Sequence, residues 1–139
     1  MLAFRGPKSS ALYPAADPHV IAVTATDAND QLFAMASGGS HVAIAAPGVD
    51  ILVPVPGNRY VMSSGTSFAS AYVSDVAALL AERRPDITPD AVKNVLMSTA
   101  HHLGSTPRDD QFGAGLMDAN QAVLSLSSPA QAVARPLSH

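Results

Sequence analysis

The sequence predicts an α/β domain, because short β-branched runs come first and a long apolar helix and an amphipathic helix follow. The chain has 139 residues, of which 47% are hydrophobic and 14% are charged. This composition is typical of a chain that buries a core, and it excludes one kept disordered by its own charge. At this length we expect one domain or part of one.

Four apolar runs in the first half of the chain predict strands. The run 19–26 is rich in β-branched residues and stops at a polar turn sequence, and the run 42–46 stops at Pro47. Two further runs, 51–53 and 60–62, flank a segment with two prolines and a Gly-Asn turn signal. That segment predicts a hairpin connection.

Two helices follow the strands. The apolar residues of the run 68–83 leave almost no polar face until Glu82, and a helix that is apolar all round is predicted to be buried. A proline ends it, and Thr88-Pro89 then supplies an N-cap and a first-turn proline for a helix over 91–100. We expect this second helix to be amphipathic and peripheral, and we expect a last short apolar element over 116–123.

Charge, cysteine content and the length of the apolar runs exclude several function classes. The formal net charge is −3 and no basic cluster is longer than Arg83-Arg84, so we expect no nucleic acid and no anionic membrane as a partner. The chain contains no Cys, which excludes disulfides, thiolate zinc sites and Cys nucleophiles. No apolar run reaches the ~20 residues of a membrane span, and we expect no membrane anchor and no signal peptide in this chain.

The segment 63–69 lies where a predicted strand meets the predicted buried helix, and Ser67 falls in the first turn of that helix. Unpaired N–H groups and the positive end of the helix dipole can stabilise an oxyanion there. Gly65 permits the backbone angles of a sharp turn, so that a hydroxyl can project from the corner. Ser and Thr are also favoured N-caps, and local chemistry alone favours Thr66 or Ser67 as a cap over a nucleophile.

The run 65–73, Gly-Thr-Ser-Phe-Ala-Ser-Ala-Tyr-Val, resembles the serine signature of the subtilisin-like protease family. Four other segments match that family in order and spacing: Tyr13-Pro14, 20–23, 46–48 and 113–119. The likeness covers about residues 6–124. It implies the C-terminal portion of a subtilisin-like three-layer α/β fold, with parallel-sheet strands, a hairpin, a buried Ser-bearing helix and peripheral helices. We expect a partial peptidase domain over 1–126 and a C-terminal tail over 127–139.

The resemblance also implies roles for the residues of the junction. Ser67 would be the nucleophile, its backbone N–H would contribute to the oxyanion hole, and the Thr66 side chain would lie beside that hole. Ser63, Ser64 and Gly65 would border the substrate strand. The implied activity is a serine endopeptidase that hydrolyses peptide bonds through an acyl-enzyme on Ser67, without a cofactor. The family also implies an extracytoplasmic or secreted location.

The family's triad Asp and His and its oxyanion Asn lie upstream of the segment matched here, and their motifs are absent from this chain. We therefore expect a C-terminal part that is incomplete and essentially inactive alone, because a Ser without an oriented base is a weak nucleophile. His19, His41 and the pair His101-His102 are expected to be solvated loop residues. A polypeptide substrate is expected if the N-terminal part of the domain completes the site.

Two alternatives stay open at this point. The chain could be an inactive remnant or an interaction fragment that self-associates through surface left uncovered. The run 65–69 is also close to the Gly-x-Ser-x-Gly elbow of α/β-hydrolase esterases, whose Asp and His follow the Ser. That second alternative fits less well, because Ala69 replaces the second Gly and only 72 residues follow Ser67.

Three acidic or loop features bear on metal binding and burial. The family's weaker cation site combines backbone oxygens near the Tyr-Pro segment with acidic groups in the loop before the second strand. Here that loop reads Ser-His-Val-Ala over 40–43, so we expect no calcium and no other metal.

Asp109-Asp110 is expected to be a solvated turn. Asp75 stands where the family has a Gly inside the buried helix, and a carboxylate there requires a partner or an open, wet site.

Overall fold

The computed structural model describes residues 13–104 and 108–127. Within these ranges the chain forms two pairs of strands followed by helices, in the order that the sequence predicts. The elements are β1 (Ala22–Thr26), β2 (Val42–Pro47), β3 (Ile51–Val55), β4 (Arg59–Ser63), α1 (Thr66–Arg83), α2 (Pro89–Ser98) and α3 (Ala119–Ser127). The predicted tail beyond Ser127 lies outside the described residues.

β1 and β2 form a parallel pair, which confirms the predicted parallel strands. On its other side β2 binds the segment 115–117. Ala45 N donates to Gly115 O at 2.9 Å, and Ala45 O accepts from Met117 N at 2.8 Å. β2 is thus the central strand of this small sheet, and all but the last of its residues are buried.

β1 begins at Ala22, three residues later than the predicted strand. The residues before it are held in a turn by Asp17. The Asp17 carboxylate accepts from His19 N at 2.8 Å and the Asp17 carbonyl accepts from Val20 N at 3.0 Å. Such local bonds compete with strand pairing, which explains the later start.

β3 and β4 pair as antiparallel strands, which confirms the predicted hairpin. Gly57 and Asn58 in the connection have positive φ values of 89° and 55°, a backbone conformation that these residue types adopt readily in turns. Pairing begins with Ile51 opposite Ser63. The hairpin therefore ends directly beside the start of α1.

α1 packs through one stripe only, and the prediction of a buried helix is wrong. The buried residues are spaced three and four apart and contact β1, β2 and α3: Ala69, Val73, Val76 and Leu80. Outside this stripe, Tyr72 is 42% exposed and Leu79 is 46% exposed. Within the described residues no element covers this side of the helix. We call it the outer face of α1, and its exposed residues are Ala71, Tyr72, Asp75, Ala78 and Leu79.

α2 begins where the sequence predicts. Thr88 is its N-cap, and Thr88 Oγ1 accepts from Ala91 N at 3.2 Å with Pro89 in the first turn. Val92 and Leu96 are buried and the opposite side is exposed, which confirms an amphipathic, peripheral helix. α3, the last predicted apolar element, packs against α1 and α2.

Gly48 is the point of closest approach between the sheet and the start of α1. Its carbonyl accepts from Gly65 N at 2.7 Å. A Cβ at position 48 would lie 2.7 Å from Ala25 Cβ, 2.8 Å from Gly65 O and 3.3 Å from Ala69 Cβ. Because two of these distances are shorter than real Cβ contacts and one neighbour is backbone, only Gly fits here without a shift.

We predict that Gly48→Ala lowers the free energy of unfolding by about 1–3 kcal/mol, because α1 must move off the sheet to admit the methyl group. Gly65→Ala is the matched control. A Cβ at position 65 meets nothing closer than 3.9 Å, and its φ of 167° is extended backbone that any residue adopts, so we expect no loss of stability. Urea denaturation measures both variants, and equal losses would contradict the role assigned to Gly48.

The hydroxyls of Thr24 and Thr26 are buried in β1. Both residues are at most 1% exposed, and neither Oγ1 has a hydrogen-bond partner within the described residues. A buried hydroxyl without a partner costs about 1–3 kcal/mol. Since Val has a similar shape without this cost, we predict that Thr24→Val and Thr26→Val each raise the free energy of unfolding by about 1 kcal/mol in urea denaturation. A loss of stability in both variants would show that the hydroxyls have partners.

Asp75 lies on the exposed outer face of α1. Of the two environments that the sequence allows for its carboxylate, a partner or an open, wet site, the structure shows the open site. We predict that Asp75→Ala changes the free energy of unfolding by no more than about 0.5 kcal/mol at pH 7, measured by the urea midpoint. Val76→Ala at the adjacent buried position is the control, and it should cost about 1–3 kcal/mol because it leaves a cavity. A clear destabilisation by Asp75→Ala would reveal a polar partner of the carboxylate.

Candidate functional site

The segment that leads into α1 is fixed residue by residue to the connection between β2 and β3 and to the first residue of β3. Ser63 is the last residue of β4 and pairs with β3. Ser64 Oγ accepts from Asp50 N at 2.9 Å. Gly65 N donates to Gly48 O at 2.7 Å. Three successive residues before α1 are therefore held by hydrogen bonds, and these bonds set the position of the first turn of the helix.

Ser67 is the second residue of α1 and is exposed, which confirms its predicted place in the first turn. Phe68 N donates to Gly65 O at 3.1 Å. Within the described residues, neither the Ser67 N–H nor Ser67 Oγ has a hydrogen-bond partner. The first turn of α1, which lies wholly within those residues, contains no acidic side chain. An oxyanion at this place would meet a free donor and the positive end of the helix dipole together.

Gly65 is the N-cap of α1, so the interpretation of Thr66 or Ser67 as the cap is wrong. The sharp turn expected at Gly65 is also wrong, since φ 167° and ψ 152° are extended backbone. A Cβ at this position would stand 3.9 Å from Ser67 N, which is an ordinary van der Waals contact.

The structure places the predicted site residues in one strand-to-helix corner. Ser63, Gly65 and Thr66 are half-buried, whereas Ser64 and Ser67 are exposed. The Ser64 hydroxyl is already bonded to Asp50 N. The roles that the family resemblance implies for these residues in substrate binding and catalysis stay predictions.

Within the described residues no histidine is hydrogen-bonded to Ser67 Oγ. His19 lies in the turn before β1, and His101 and His102 follow α2. All three are exposed as expected, and His102 Nδ1 lies 3.2 Å from a backbone carbonyl oxygen. The expectation of a solvated side chain is wrong for His41, which is half-buried in the wall of a cavity.

The arrangement around Ser67 can position a hydroxyl for attack on a carbonyl carbon and can stabilise the resulting oxyanion. The exposed hydroxyl and the unpaired amide belong to the same residue, and the helix behind them is anchored by its buried stripe. Proton removal from the hydroxyl requires a base at hydrogen-bond distance. Such a base is not found among the described residues.

Two residues of the corner have no role in the sequence analysis. Gly48 appears there only within the family-matching segment 46–48, and Asp50 is not considered. Asp50 has a φ of 54°, which Asp tolerates better than most residues. A sequence signal for their role exists, since Gly48 and Asp50 are turn-forming residues directly before the predicted hairpin. A turn at that place lies beside the segment 63–65, where the hairpin ends.

The acidic pair Asp109-Asp110 lies in a turn, as the sequence predicts. Asp109 forms a turn, with Oδ1 accepting from Gln111 N at 2.8 Å and from Phe112 N at 2.6 Å. Over 13–104 and 108–127, no three His, Cys, Asp or Glu side chains are grouped so that they could hold a metal ion. In the same part of the chain, no helix has the combined length and hydropathy needed to cross a bilayer.

Comparison with known proteins identifies close relatives of this chain. A model of the subtilase family matches residues 4–115. Alkaline elastase YaB from Bacillus sp. (strain YaB) is 39% identical over 110 residues, which are 79% of this chain and 28% of the elastase. Subtilisin BL from Lederbergia lenta is 37% identical over 114 residues, which are 82% of this chain and 41% of the subtilisin. The chain thus spans less than half the length of these relatives.

Solved structures show the same likeness. The serine protease MycP1, an essential component of the type VII (ESX-1) secretion system, superimposes with a TM-score of 0.73 at 35% identity, over 80% of this chain and 33% of MycP1. Fervidolysin from Fervidobacterium pennivorans, a keratinolytic enzyme related to subtilisin, gives a TM-score of 0.74 at 29% identity, over 81% of this chain and 20% of fervidolysin. In family and in fold, this chain belongs to the subtilases, the subtilisin-like serine proteases, and it has part of their α/β architecture.

Proposed function

We propose that this chain is the nucleophile-bearing C-terminal part of a subtilisin-like serine endopeptidase domain. The observation that carries the proposal is Ser67, an exposed hydroxyl in the first turn of α1 whose own amide is unpaired within the described residues. Ser67 Oγ attacks the carbonyl carbon of a peptide bond and loses its proton to a base. The carbonyl oxygen becomes an oxyanion beside the Ser67 N–H, and its collapse releases the amine and leaves an acyl-enzyme that water hydrolyses.

The base comes, in this proposal, from a segment outside the chain, as does the remainder of the substrate site. Two findings support this division: Ser67 Oγ has no partner among the described residues, and the matched part of the chain spans only 28% of the elastase relative. A serine hydroxyl without a base reacts slowly, because almost none of it is ionised at neutral pH. The chain alone is therefore essentially inactive towards peptides.

The outer face of α1 is the surface on which we place the completing segment. Tyr72 and Leu79 are large apolar side chains, and each is more than two-fifths exposed. Tyr72 lies five residues along α1 from Ser67, so a segment that buries Tyr72 also comes close to the proposed nucleophile. Exposed apolar patches mark interaction surfaces. The same face would serve self-association if no completing segment were present.

Family membership removes the α/β-hydrolase alternative. The other alternative, an inactive remnant or interaction fragment, rests on the same exposed face and on the missing base. We further propose an extracytoplasmic location for the complete protein. The support for it is the family and the place of MycP1 in a secretion system.

We predict that Ser67 reacts with a fluorophosphonate probe only in a complete domain. The test protein is a chimera, in which the 110 matched residues of alkaline elastase YaB are replaced by those of this chain. The probe should label the chimera stoichiometrically, and it should label the isolated chain at least about 10³-fold more slowly, because the base is missing. Mass spectrometry of the labelled peptide locates the adduct.

Ser67→Ala and Ser70→Ala in the chimera are matched controls. Ser70 is an exposed serine one turn further along α1, so its loss should leave labelling unchanged, whereas the loss of Ser67 should abolish it. A folded chimera without label would contradict the nucleophile assignment. Equal labelling of the isolated chain would show that the chain supplies its own base, and the division proposed above would be wrong.

A further inference from the structure

A cavity of about 420 Å³ lies between the turn before β1, the loop before β2 and α2. Backbone carbonyl groups of both connecting segments face two cationic side chains here, Lys93 and Arg108. Ser67 and its neighbours do not line this cavity. Its chemistry is therefore independent of the proposed function.

Lys93 ties the turn before β1 to α2. Its half-buried side chain reaches from α2, and Lys93 Nζ donates to Pro18 O at 2.9 Å and to Val20 O at 3.2 Å. These carbonyls are 75 and 73 residues away along the chain. A single ammonium group thus bridges two backbone oxygens and closes a long loop, with hydrogen bonds strengthened by the full positive charge of the donor.

Arg108 holds the loop before β2 in a similar way. Arg108 Nη2 donates to Ser40 O at 2.9 Å and to Val42 O at 3.1 Å. Both cationic side chains line the same cavity. These two loops are also the segments in which the family's weaker cation site is expected, so the cavity allows a direct test of whether the residues present fit a metal ion.

The residues present do not fit a metal ion. The carbonyl oxygens named above already accept from an ammonium or a guanidinium group. Asp17 is the one carboxylate among the residues that line the cavity, and its Oδ1 accepts from a backbone N–H at 2.8 Å. Two fixed positive charges against one carboxylate repel a further cation.

We propose that the Lys93 ammonium is a built-in cation that holds the turn 17–20 on α2, so that this part of the fold needs no free metal ion. An ammonium has three donors and a compact charge, which suits it to bind converging carbonyl oxygens. Because it is covalently attached to α2, its presence at the carbonyls does not depend on an ion concentration. The stability of the turn then depends on the charge at residue 93 and is insensitive to chelators.

The test compares thermal unfolding of the full chain in millimolar CaCl₂, in MgCl₂ and in EDTA. The parent should have the same Tm in all three solutions, within about 1 °C. Lys93→Met removes the charge but keeps most of the stem, and it should lower Tm by about 4 °C. Lys93→Arg keeps the charge and the donors and should recover at least half of that loss. Arg59→Met, which removes an exposed cation on the hairpin, is the control and should leave Tm within about 1 °C of the parent.

Amide hydrogen exchange gives a local measurement that a general loss of stability would not reproduce. The Val20 N–H, which donates to Asp17 O at 3.0 Å inside the turn, should exchange about tenfold faster in Lys93→Met. The Met117 N–H, which donates to Ala45 O in the sheet, should keep its parent rate. If Lys93→Met does not fold, the parent and Lys93→Arg still test the proposal, because calcium must leave the Tm of both unchanged.

Two results would overturn the proposal. One is a parent Tm that calcium raises by more than about 3 °C over magnesium, because a metal ion would then stabilise the fold despite the ammonium. The other is a Lys93→Met variant that matches the parent in both Tm and Val20 exchange. In either case the labelling of Ser67 in the chimera would be unaffected, so the two proposals can fail separately.

Discussion

The position of α1 depends on the absence of a side chain at residue 48. The Gly48 carbonyl accepts from Gly65 N at 2.7 Å, and a Cβ at this position would overlap Ala25 and the Gly65 carbonyl. Because Gly48 and Gly65 lie so close together, the hairpin β3–β4 ends beside the end of β2, and α1 begins there directly. Everything proposed for Ser67 follows from this contact, because the direction of its hydroxyl and of its amide is set by where the first turn begins.

α1 has one side that packs in the core and one side that is exposed. Its inner stripe is buried against β1, β2 and α3, whereas Tyr72 and Leu79 on the outer face keep much of their apolar surface in water. Full burial of a large apolar side chain contributes roughly 1.5–3 kcal/mol, and the exposed part of Tyr72 and Leu79 leaves a fraction of that free energy for association. In the proposed function, the completing segment gains this free energy by covering the outer face. Docking of that segment and assembly of the active site are then coupled.

Local signals in the sequence predict much of this fold. The Gly57-Asn58 turn predicts the hairpin, and Thr88-Pro89 predicts the N-cap and the first-turn proline of α2. The burial of α1 could not be predicted, because apolar composition shows which faces can be buried and not which are covered. Gly65 is a related case: a glycine at a corner suggests a turn, but its backbone is extended. The bonds of Lys93 leave no local signal, since their acceptors lie more than seventy residues away.

The nucleophile role proposed for Ser67 has two requirements, an accurate position and a base. Its position must be accurate to a fraction of an ångström. In this chain the pairing and hydrogen bonds of the segment 63–65 with Gly48, Asp50 and Ile51, all made within one polypeptide, fix that position. The base needs only to reach Ser67 Oγ from the solvent side, where the residue is exposed. In the proposed function, the first requirement is satisfied without the second, so the Ser67 hydroxyl is positioned before a base arrives. The segment proposed to dock on α1 then has to bring a base to a finished geometry and does not have to build that geometry.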